Sequence, residues 1–295
     1  VAHSFPTRRS SDLARVRDSS GRLVELRSDE AGRITELWLA KPVGEGHDCH
    51  RRYEYDDQGD LIRVRDVLGQ QWRFEYVTHL LTRETDRAGL SFYFAYDGVG
   101  EDAWCVRTWG DGGIHDHVLS YDKANRVTYV TNSLGFTTVY RMNLVGQVVE
   151  ITDPHGAKTL YDYDLATLQQ RREVDGLGRA TSYTHDARGN VIRVDRPDGT
   201  HVEMGYDERN QLSRAIDPLG AEWSWRYDGH GRVSQQIGCD GGTIRYHYER
   251  GYLTQIVDPG GGTTSIGYDR HGMLDALRTP DGAITRWRYD RLGRA

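Results

Sequence analysis

Two short clusters in this chain combine side chains that commonly bind metals. His47-Asp48-Cys49-His50 offers imidazole, carboxylate and thiolate groups, and His115-Asp116-His117 offers two imidazoles and a carboxylate. A zinc site needs about four ligands in a tetrahedral arrangement, which adjacent residues of one strand or loop rarely provide. We therefore interpret both clusters as solvated residues, and we predict neither a metal site nor a cofactor.

Carboxylates are the other abundant reactive group, with 44 acidic residues in the chain. Those that recur lie in turn-like stretches, such as Asp153-Pro154-His155-Gly156 and Asp258-Pro259-Gly260-Gly261. Aspartate accepts hydrogen bonds from the backbone that follows it, so a repeated aspartate is more simply a turn former than a catalytic acid. The sequence contains no phosphate-binding loop, nucleophile elbow or His-Glu-x-x-His motif. We predict no catalytic residue and no enzymatic activity for this chain.

Cysteine usage, charge and hydropathy argue against further classes of protein. Cys49, Cys105 and Cys239 are odd in number and unrelated in position, so they do not indicate a disulfide framework. The 38 basic residues interleave with the 44 acidic ones, for a net charge of −6, which argues against a nucleic-acid partner. No apolar run approaches the ~20 residues that a membrane helix needs, so we predict no membrane span.

A tyrosine recurs at a nearly constant spacing through most of the chain. The last five are separated by 21, 21, 20 and 21 residues, which indicates a repeat architecture. Met142 and His185 stand where the period would place a tyrosine. The tyrosines that we predict to anchor the repeats are Tyr55, Tyr76, Tyr96, Tyr121, Tyr163, Tyr206, Tyr227, Tyr248, Tyr268 and Tyr289. The turn glycines that we add to these anchors are Gly59, Gly189, Gly231 and Gly272.

Each repeat contains two turn signals separated by short strands. A Tyr-Asp-x-x-Gly stretch is followed half a period later by an Asp-Pro-x-Gly-like stretch, and both are typical of tight turns. Between them, segments such as Gln71-Trp72-Arg73-Phe74-Glu75-Tyr76 alternate aromatic and polar residues, as a half-buried antiparallel strand does. We predict an all-β fold of repeated antiparallel hairpins of about 21 residues that form a continuous curved or spiralling sheet.

Composition and periodicity divide the chain into three parts. We expect residues 1–12 to be a non-native or disordered leader, residues 13–52 to be divergent N-terminal repeats, and residues 53–295 to be regular repeats with a longer loop at about 98–118. Only 37% of residues are hydrophobic, below the ~45–50% apolar share of an ordinary globular domain. The mean hydropathy is −0.71. The sheet should therefore be open and wet, or should enclose a polar cavity.

The order of these signals resembles the YD repeats of Rhs proteins, which are shared with teneurins and the C components of Tc insecticidal toxins. The resemblance covers roughly residues 53–295, because the spacing and both turn types recur together. It implies a hollow shell that holds a C-terminal toxin, delivered by a secretion system in competition between bacteria or into a host. It also implies a secreted or cell-surface location as part of a longer bacterial protein.

The chain departs from the full-length family pattern. The resemblance implies a self-cleaving cap with an Asp-Pro-x-Gly-Leu motif, followed by the toxin, but Asp217-Pro218-Leu219-Gly220 continues as Ala221-Glu222-Trp223 into an ordinary repeat. We therefore expect a fragment of the repeat core, whose partners are the remaining repeats, the toxin and components of a secretion system. Two alternatives stay open: a carbohydrate-binding or adhesion module with Trp104 and Trp109 as stacking platforms, and the scaffold of a larger enzyme.

Overall fold

The computed structural model describes residues 15–17, 23–41, 46–290 and 292–295. The leader predicted at residues 1–12 lies outside these described residues. Within them the chain forms 26 β-strands, with two 3-10 turns at Gly100–Asp102 and Asp111–Gly113. The all-β prediction is confirmed. None of the helical segments in the described part is long and apolar enough to cross a membrane.

The strands follow one another at short intervals and are numbered in chain order. They are β1 (Arg15–Arg17), β2 (Leu23–Ser28), β3 (Ile34–Ala40), β4 (His47–Tyr55), β5 (Leu61–Asp66), β6 (Gln71–Val77), β7 (Leu80–Thr85), β8 (Ser91–Asp97), β9 (Trp104–Gly110), β10 (His117–Asp122), β11 (Val127–Asn132), β12 (Thr137–Met142) and β13 (Val148–Thr152). The remaining strands are β14 (Lys158–Tyr163), β15 (Gln170–Val174), β16 (Ala180–His185), β17 (Val191–Asp195), β18 (His201–Tyr206), β19 (Leu212–Ile216), β20 (Glu222–Tyr227), β21 (Val233–Ile237), β22 (Thr243–Glu249), β23 (Tyr252–Val257), β24 (Thr263–Tyr268), β25 (Leu274–Arg278) and β26 (Ile284–Arg286).

The chain divides into two compact units. Unit 1 comprises residues 1–90, 227–235 and 243–295, and in its described part each strand pairs antiparallel with its chain neighbour from β1 to β7 and again from β22 to β26. Unit 2 comprises residues 91–226 and 236–242, and its strands pair antiparallel in the same way from β8 to β20. The prediction of repeated antiparallel hairpins is confirmed in both units.

One hairpin shows why the sequence folds this way. Val64 of β5 faces Trp72 of β6, with Arg63 opposite Arg73 on the flanking register positions. Successive side chains of a strand point to opposite faces, so the alternation of apolar and charged residues keeps aromatic rings together on one face. Opposed cross-strand side chains are the unit that stabilises such a sheet.

The described residues of the two units form no thick hydrophobic core. Strands make their extensive contacts with the neighbours that they pair with. Val127, at 4% exposure, is the only buried hydrophobic residue in the described part of the chain, and most strand residues on either face are half-buried. A sheet of this kind is a thin wall with two partly wetted faces.

The region expected to be a long loop, residues 98–118, differs from that expectation. It contains the whole of β9, which pairs with β8 on one side and with the first two residues of β10 on the other. The five glycines between Gly98 and Gly113 indicated a loop, but the alternating Trp104-Cys105-Val106-Arg107-Thr108-Trp109 segment is a strand pattern. The glycines mark the 3-10 turns at the two ends of this extra strand.

Candidate structural site at the repeat edges

In each unit the hairpin turns alternate between two edges of the sheet. The turns that follow the repeat tyrosines, such as Asp56–Gly59 and Asp186–Gly189, form what we call the Tyr edge. The turns half a repeat later, such as Asp66–Gly69 and Asp217–Gly220, form the Pro edge, named for its frequent prolines. Because antiparallel strands reverse direction at every turn, successive turns must lie at opposite edges.

A turn at Asp56 shows how the sequence fixes this geometry. The Gly59 N–H donates to the Asp56 carbonyl at 3.1 Å, and the Asp56 N–H donates to the Asp60 carbonyl at 3.0 Å. The N–H groups of Gln58 and Asp60 both donate to Asp56 Oδ1 at 2.9 Å. Aspartate thus satisfies the backbone donors that the turn leaves without a partner.

The turn glycines adopt a backbone conformation that other residues rarely take. Gly59 has a φ of +96° and Gly189 a φ of +92°, both in the left-handed region that glycine enters without steric cost. The other two predicted anchors, Gly231 and Gly272, have φ of +81° and +83°. A side chain at any of these positions would strain the turn.

The tyrosines connect each repeat to the start of the preceding strand. Seven of the ten predicted anchors donate a hydroxyl hydrogen bond of 2.5–3.0 Å to a carbonyl of the first or second residue of that strand. The pairs are Tyr55 to Ile34, Tyr121 to Cys105, Tyr163 to Val148, Tyr206 to Val191, Tyr248 to Val233, Tyr268 to Leu253 and Tyr289 to Leu274. Each bond joins the tyrosine that precedes one Tyr-edge turn to the strand start that follows the previous turn on the same edge.

The surroundings of these rings keep the hydroxyl groups as donors. Burial raises the pKa of Tyr163, Tyr248 and Tyr268, so these phenols remain hydrogen-bond donors to a higher pH than an exposed tyrosine does. The Arg232 guanidinium lies over the Tyr248 ring at 4.5 Å, and Arg33 lies over Tyr55 at 4.9 Å. The ring therefore contributes a cation–π contact as well as the hydroxyl bond.

The remaining predicted anchors occupy the same place in their repeats. Tyr76, Tyr96 and Tyr227 each lie at or next to the last residue of a strand, in β6, β8 and β20. Met142 and His185 also end their strands, β12 and β16. The geometry of the edge is thus regular, and the anchoring role of these residues stays a prediction.

The two histidine clusters make other contacts. His47 to His50 lie along β4, where Cys49 Sγ donates to the Arg51 carbonyl and Asp48 lies 3.5 Å from Lys41 Nζ. Asp116 is held by two bonds of 2.8 and 3.0 Å from the Arg107 guanidinium, which lower the pKa of the carboxyl. Among the described residues no group of three or more His, Cys, Asp or Glu side chains is placed to hold a metal ion. The three cysteines are free.

The two tryptophans considered as sugar platforms already have partners on the protein. Trp104, 40% exposed, packs edge-on against Tyr121 at 4.5 Å, and Lys123 Nζ lies over its ring at 4.4 Å. Trp109 stacks on Tyr93 at 5.5 Å, and Arg107 lies over it at 4.8 Å. Asp217 forms a turn like that of Asp56, accepting from the N–H groups of Leu219 and Ala221, so its Asp-Pro motif is an ordinary Pro-edge turn.

One feature of unit 1 had no signal in the sequence. Gly293 of a Tyr-edge turn packs against the Pro edge. Its Cβ position would lie 3.6 Å from both Leu68 Cδ1 and Arg87 Nη1 of that edge, and 3.3 Å from Met273 Cε. Asp66 begins the Leu68 turn and has a side chain only 4% exposed, 3.8 Å from Arg87 Nη1. We call this contact between distant turns the seam. Residues more than 200 positions apart carry no local pattern that would have revealed it.

The hairpins, turns and tyrosine bonds define a class of protein, the β-hairpin repeat proteins. Residues 55–91 match the RHS Repeat family and residues 183–291 match the Teneurin YD-shell family. The resemblance seen in the sequence is confirmed: this chain carries the repeats of the Rhs/YD-repeat family.

Known proteins of similar sequence or fold are consistent with this family assignment. The chain is 30% identical to the toxin protein Tse5 of Pseudomonas aeruginosa, over 80% of this chain and 19% of the relative. It is 28% identical to a probable deoxyribonuclease, RhsB, of Dickeya dadantii, over 72% of this chain and 16% of the relative. The crystal structure of TcdB2-TccC3-TEV shares the fold, with a TM-score of 0.57, 11% identity, and coverage of 92% of this chain and 20% of that one. The chain thus spans less than a fifth of the length of these curated relatives.

Proposed function

We propose that this chain is a wall segment of a shell that encloses a polypeptide cargo, a C-terminal toxin, in a longer bacterial protein. The observation that carries the proposal is the thin hairpin sheet, in which the described part contains a single buried hydrophobic residue and two half-exposed faces. Ordinary domains bury a sheet face against a second layer. A wall without that layer suits a container, whose inner face meets a cargo and whose outer face meets water.

The similarity to toxins supports this proposal. Proteins of similar sequence include a toxin and a probable deoxyribonuclease, each several times longer than this chain. A repeat region that is common to proteins with different named activities fits a carrier better than a catalyst. In this proposal the wall is secreted or displayed with its cargo and reaches a neighbouring bacterium or a host cell through a secretion system. Carbohydrate binding has weaker support, because the Trp104 and Trp109 rings are already covered by protein groups.

Limited proteolysis tests the enclosure. The reading frame that encodes these repeats would be expressed together with whatever sequence follows residue 295, and the fate of that C-terminal sequence would be measured with a broad-specificity protease. Protection of the C-terminal sequence inside the intact protein, and its rapid cleavage when produced alone, is the expected result. Equal cleavage in both forms, or a frame with no sequence after the repeats, would contradict the container.

A further inference from the structure

Unit 2 contains a pocket of about 300 Å³ beside two consecutive turns of its Tyr edge. The larger apolar and aromatic side chains that line it are Trp104, Tyr121, Val127 and Met142. Small-molecule sites are concave, mostly apolar and roughly 300–1,000 Å³ in volume, so this pocket has the size for a compound with a single ring system.

The pocket lies where one repeat lacks its tyrosine. In five repeats the tyrosine that ends a strand donates to a carbonyl fifteen residues earlier, as Tyr206 does to Val191, so its ring spans the space between those two residues. Met142 stands at the tyrosine position of its repeat, Val127 lies fifteen residues before it, and both line the pocket. The other repeats fill this space with their own ring. The group missing here is therefore one aromatic ring, and no distant segment of the chain is needed to explain the pocket.

Two cationic side chains give the pocket its charge. Lys123 and Arg126 both line it, and the Lys123 ammonium is held 4.4 Å from the centre of the Trp104 ring. Within the described part of the chain, neither cation lies within ion-pair distance of a carboxylate. Asp122 also lines the pocket, but its carboxylate accepts bonds of 2.7 and 3.1 Å from Asn125. An apolar wall beside two cations matches a ligand that is aromatic and anionic.

We propose that this pocket binds a small aromatic carboxylate. The ring of the ligand takes the place of the absent tyrosine ring between Val127 and Met142, and its carboxylate meets Lys123 and Arg126. Hydrogen bonds between a cationic donor and a carboxylate are roughly twice as strong as neutral ones, so the charge of the ligand decides its affinity. This site belongs to the wall itself and does not depend on the proposed enclosure of a cargo.

Isothermal titration calorimetry of the 295-residue chain with 4-hydroxyphenylacetate measures the binding. This compound combines the phenol ring of tyrosine with a carboxylate, and 4-hydroxyphenylacetamide is its neutral counterpart. We expect the carboxylate to bind at least about 10-fold more tightly than the amide, since a hydrogen bond to a charged group contributes on that scale. No binding of the carboxylate at millimolar concentration, or equal affinities for the two compounds, would overturn the proposal.

Two variants remove the site without weakening the fold. Met142→Tyr fills the pocket with a ring of the protein and supplies a hydroxyl for the Val127 carbonyl. Arg126 has a φ of +54°, a conformation that glycine adopts without steric cost, so Arg126→Gly removes the cation and favours the turn. Each variant should bind 4-hydroxyphenylacetate at least about 10-fold more weakly than the wild type. Circular dichroism and thermal unfolding should show an unchanged fold and a melting temperature that is equal or higher.

The matched control is His185→Tyr, which places a tyrosine at the equivalent position of another repeat of unit 2. It should bind the ligand like the wild type, because His185 does not line this pocket. Wild-type affinity in Met142→Tyr or Arg126→Gly, or lost affinity in His185→Tyr, would contradict the assignment of the site.

Methionine methyl signals locate the ligand without any loss of binding. The chain has three methionines, and each lines a different pocket: Met142 this one, Met204 another in unit 2, and Met273 the cleft beside Leu68 in unit 1. With ¹³C-methyl methionine, titration of 4-hydroxyphenylacetate should shift the Met142 signal through the ring current of the ligand and leave the other two in place. Equal shifts of all three signals, or a shift of Met204 or Met273 alone, would show that the ligand binds elsewhere and would overturn the proposal.

Discussion

Removing one tyrosine hydroxyl should weaken the repeat in which it lies. Tyr248 donates to the Val233 carbonyl at 3.0 Å, and its ring lies under the Arg232 guanidinium at 4.5 Å. Tyr248→Phe deletes the hydroxyl bond and keeps the ring, so it should cost about 1 kcal/mol of unfolding free energy, the usual net value of one hydrogen bond. Tyr248→Leu also removes the cation–π contact, worth roughly 0.5–1 kcal/mol, and should cost about 2 kcal/mol in total.

The loss should be local, because a repeat contacts mainly its neighbours. Native-state hydrogen exchange, read amide by amide, is therefore the assay of choice. A loss of about 1 kcal/mol corresponds to roughly fivefold faster exchange where local opening controls the rate. We expect this acceleration in β21, β22 and β23 for Tyr248→Phe, with a larger acceleration for Tyr248→Leu.

The control is a tyrosine on an exposed strand position. Tyr129 of β11 is 38% exposed and is not one of the predicted anchors, so Tyr129→Phe should leave exchange in its own hairpin unchanged. Unchanged exchange around Tyr248→Phe would refute the hydroxyl as a stabilising group. Equal acceleration in both variants would show that any tyrosine loss matters and that the anchors have no special role.

Three further predictions concern the turns and the period. His185→Tyr should restore the missing hydroxyl bond, to the Gln170 carbonyl at the equivalent position, and raise the unfolding free energy in urea by about 1 kcal/mol; no gain would argue against the fifteen-residue rule seen for Tyr206 and Val191. Leu168 has a φ of +60°, so Leu168→Gly should raise the unfolding free energy by about 1 kcal/mol, whereas Asn210→Gly should be nearly neutral because asparagine tolerates this region. Equal effects of the two substitutions in thermal unfolding would refute the strain argument. The Asn190 side-chain and backbone donors hold the pKa of Asp186 below its usual range, so this carboxylate stabilises the fold above its unfolded pKa and the stability is lost as pH falls through the lower folded pKa. Asp186→Asn keeps an acceptor and should flatten that part of the acid-unfolding curve, and an unchanged curve would show that Asp186 does not contribute.

Local chemistry made most of the fold predictable from the sequence. The strand around Trp72 was evident because its alternation is a property of a few adjacent residues, and the turn at Gly59 was evident because aspartate and glycine each have a local reason to be there. Strand β9 was missed because the glycines at its ends outweighed a short alternating segment. The carbonyl partner of each tyrosine was not identified in advance, although the fifteen-residue separation that five of the seven pairs share would have been a usable signal once the register was known.

The seam is different in kind from the rest of the fold, and it changes how the repeats share stability. A sheet in which hairpins contact only their neighbours gains and loses stability one repeat at a time. Gly293 and Leu68 break that rule in unit 1, because opening either turn exposes a surface that belongs to a distant repeat. Unit 2 exposes its equivalent leucines, so its repeats lack this added coupling in the chain as it stands. A wall that must stay closed around a cargo needs such lateral contacts, since ladder hydrogen bonds hold a strip together only along its length.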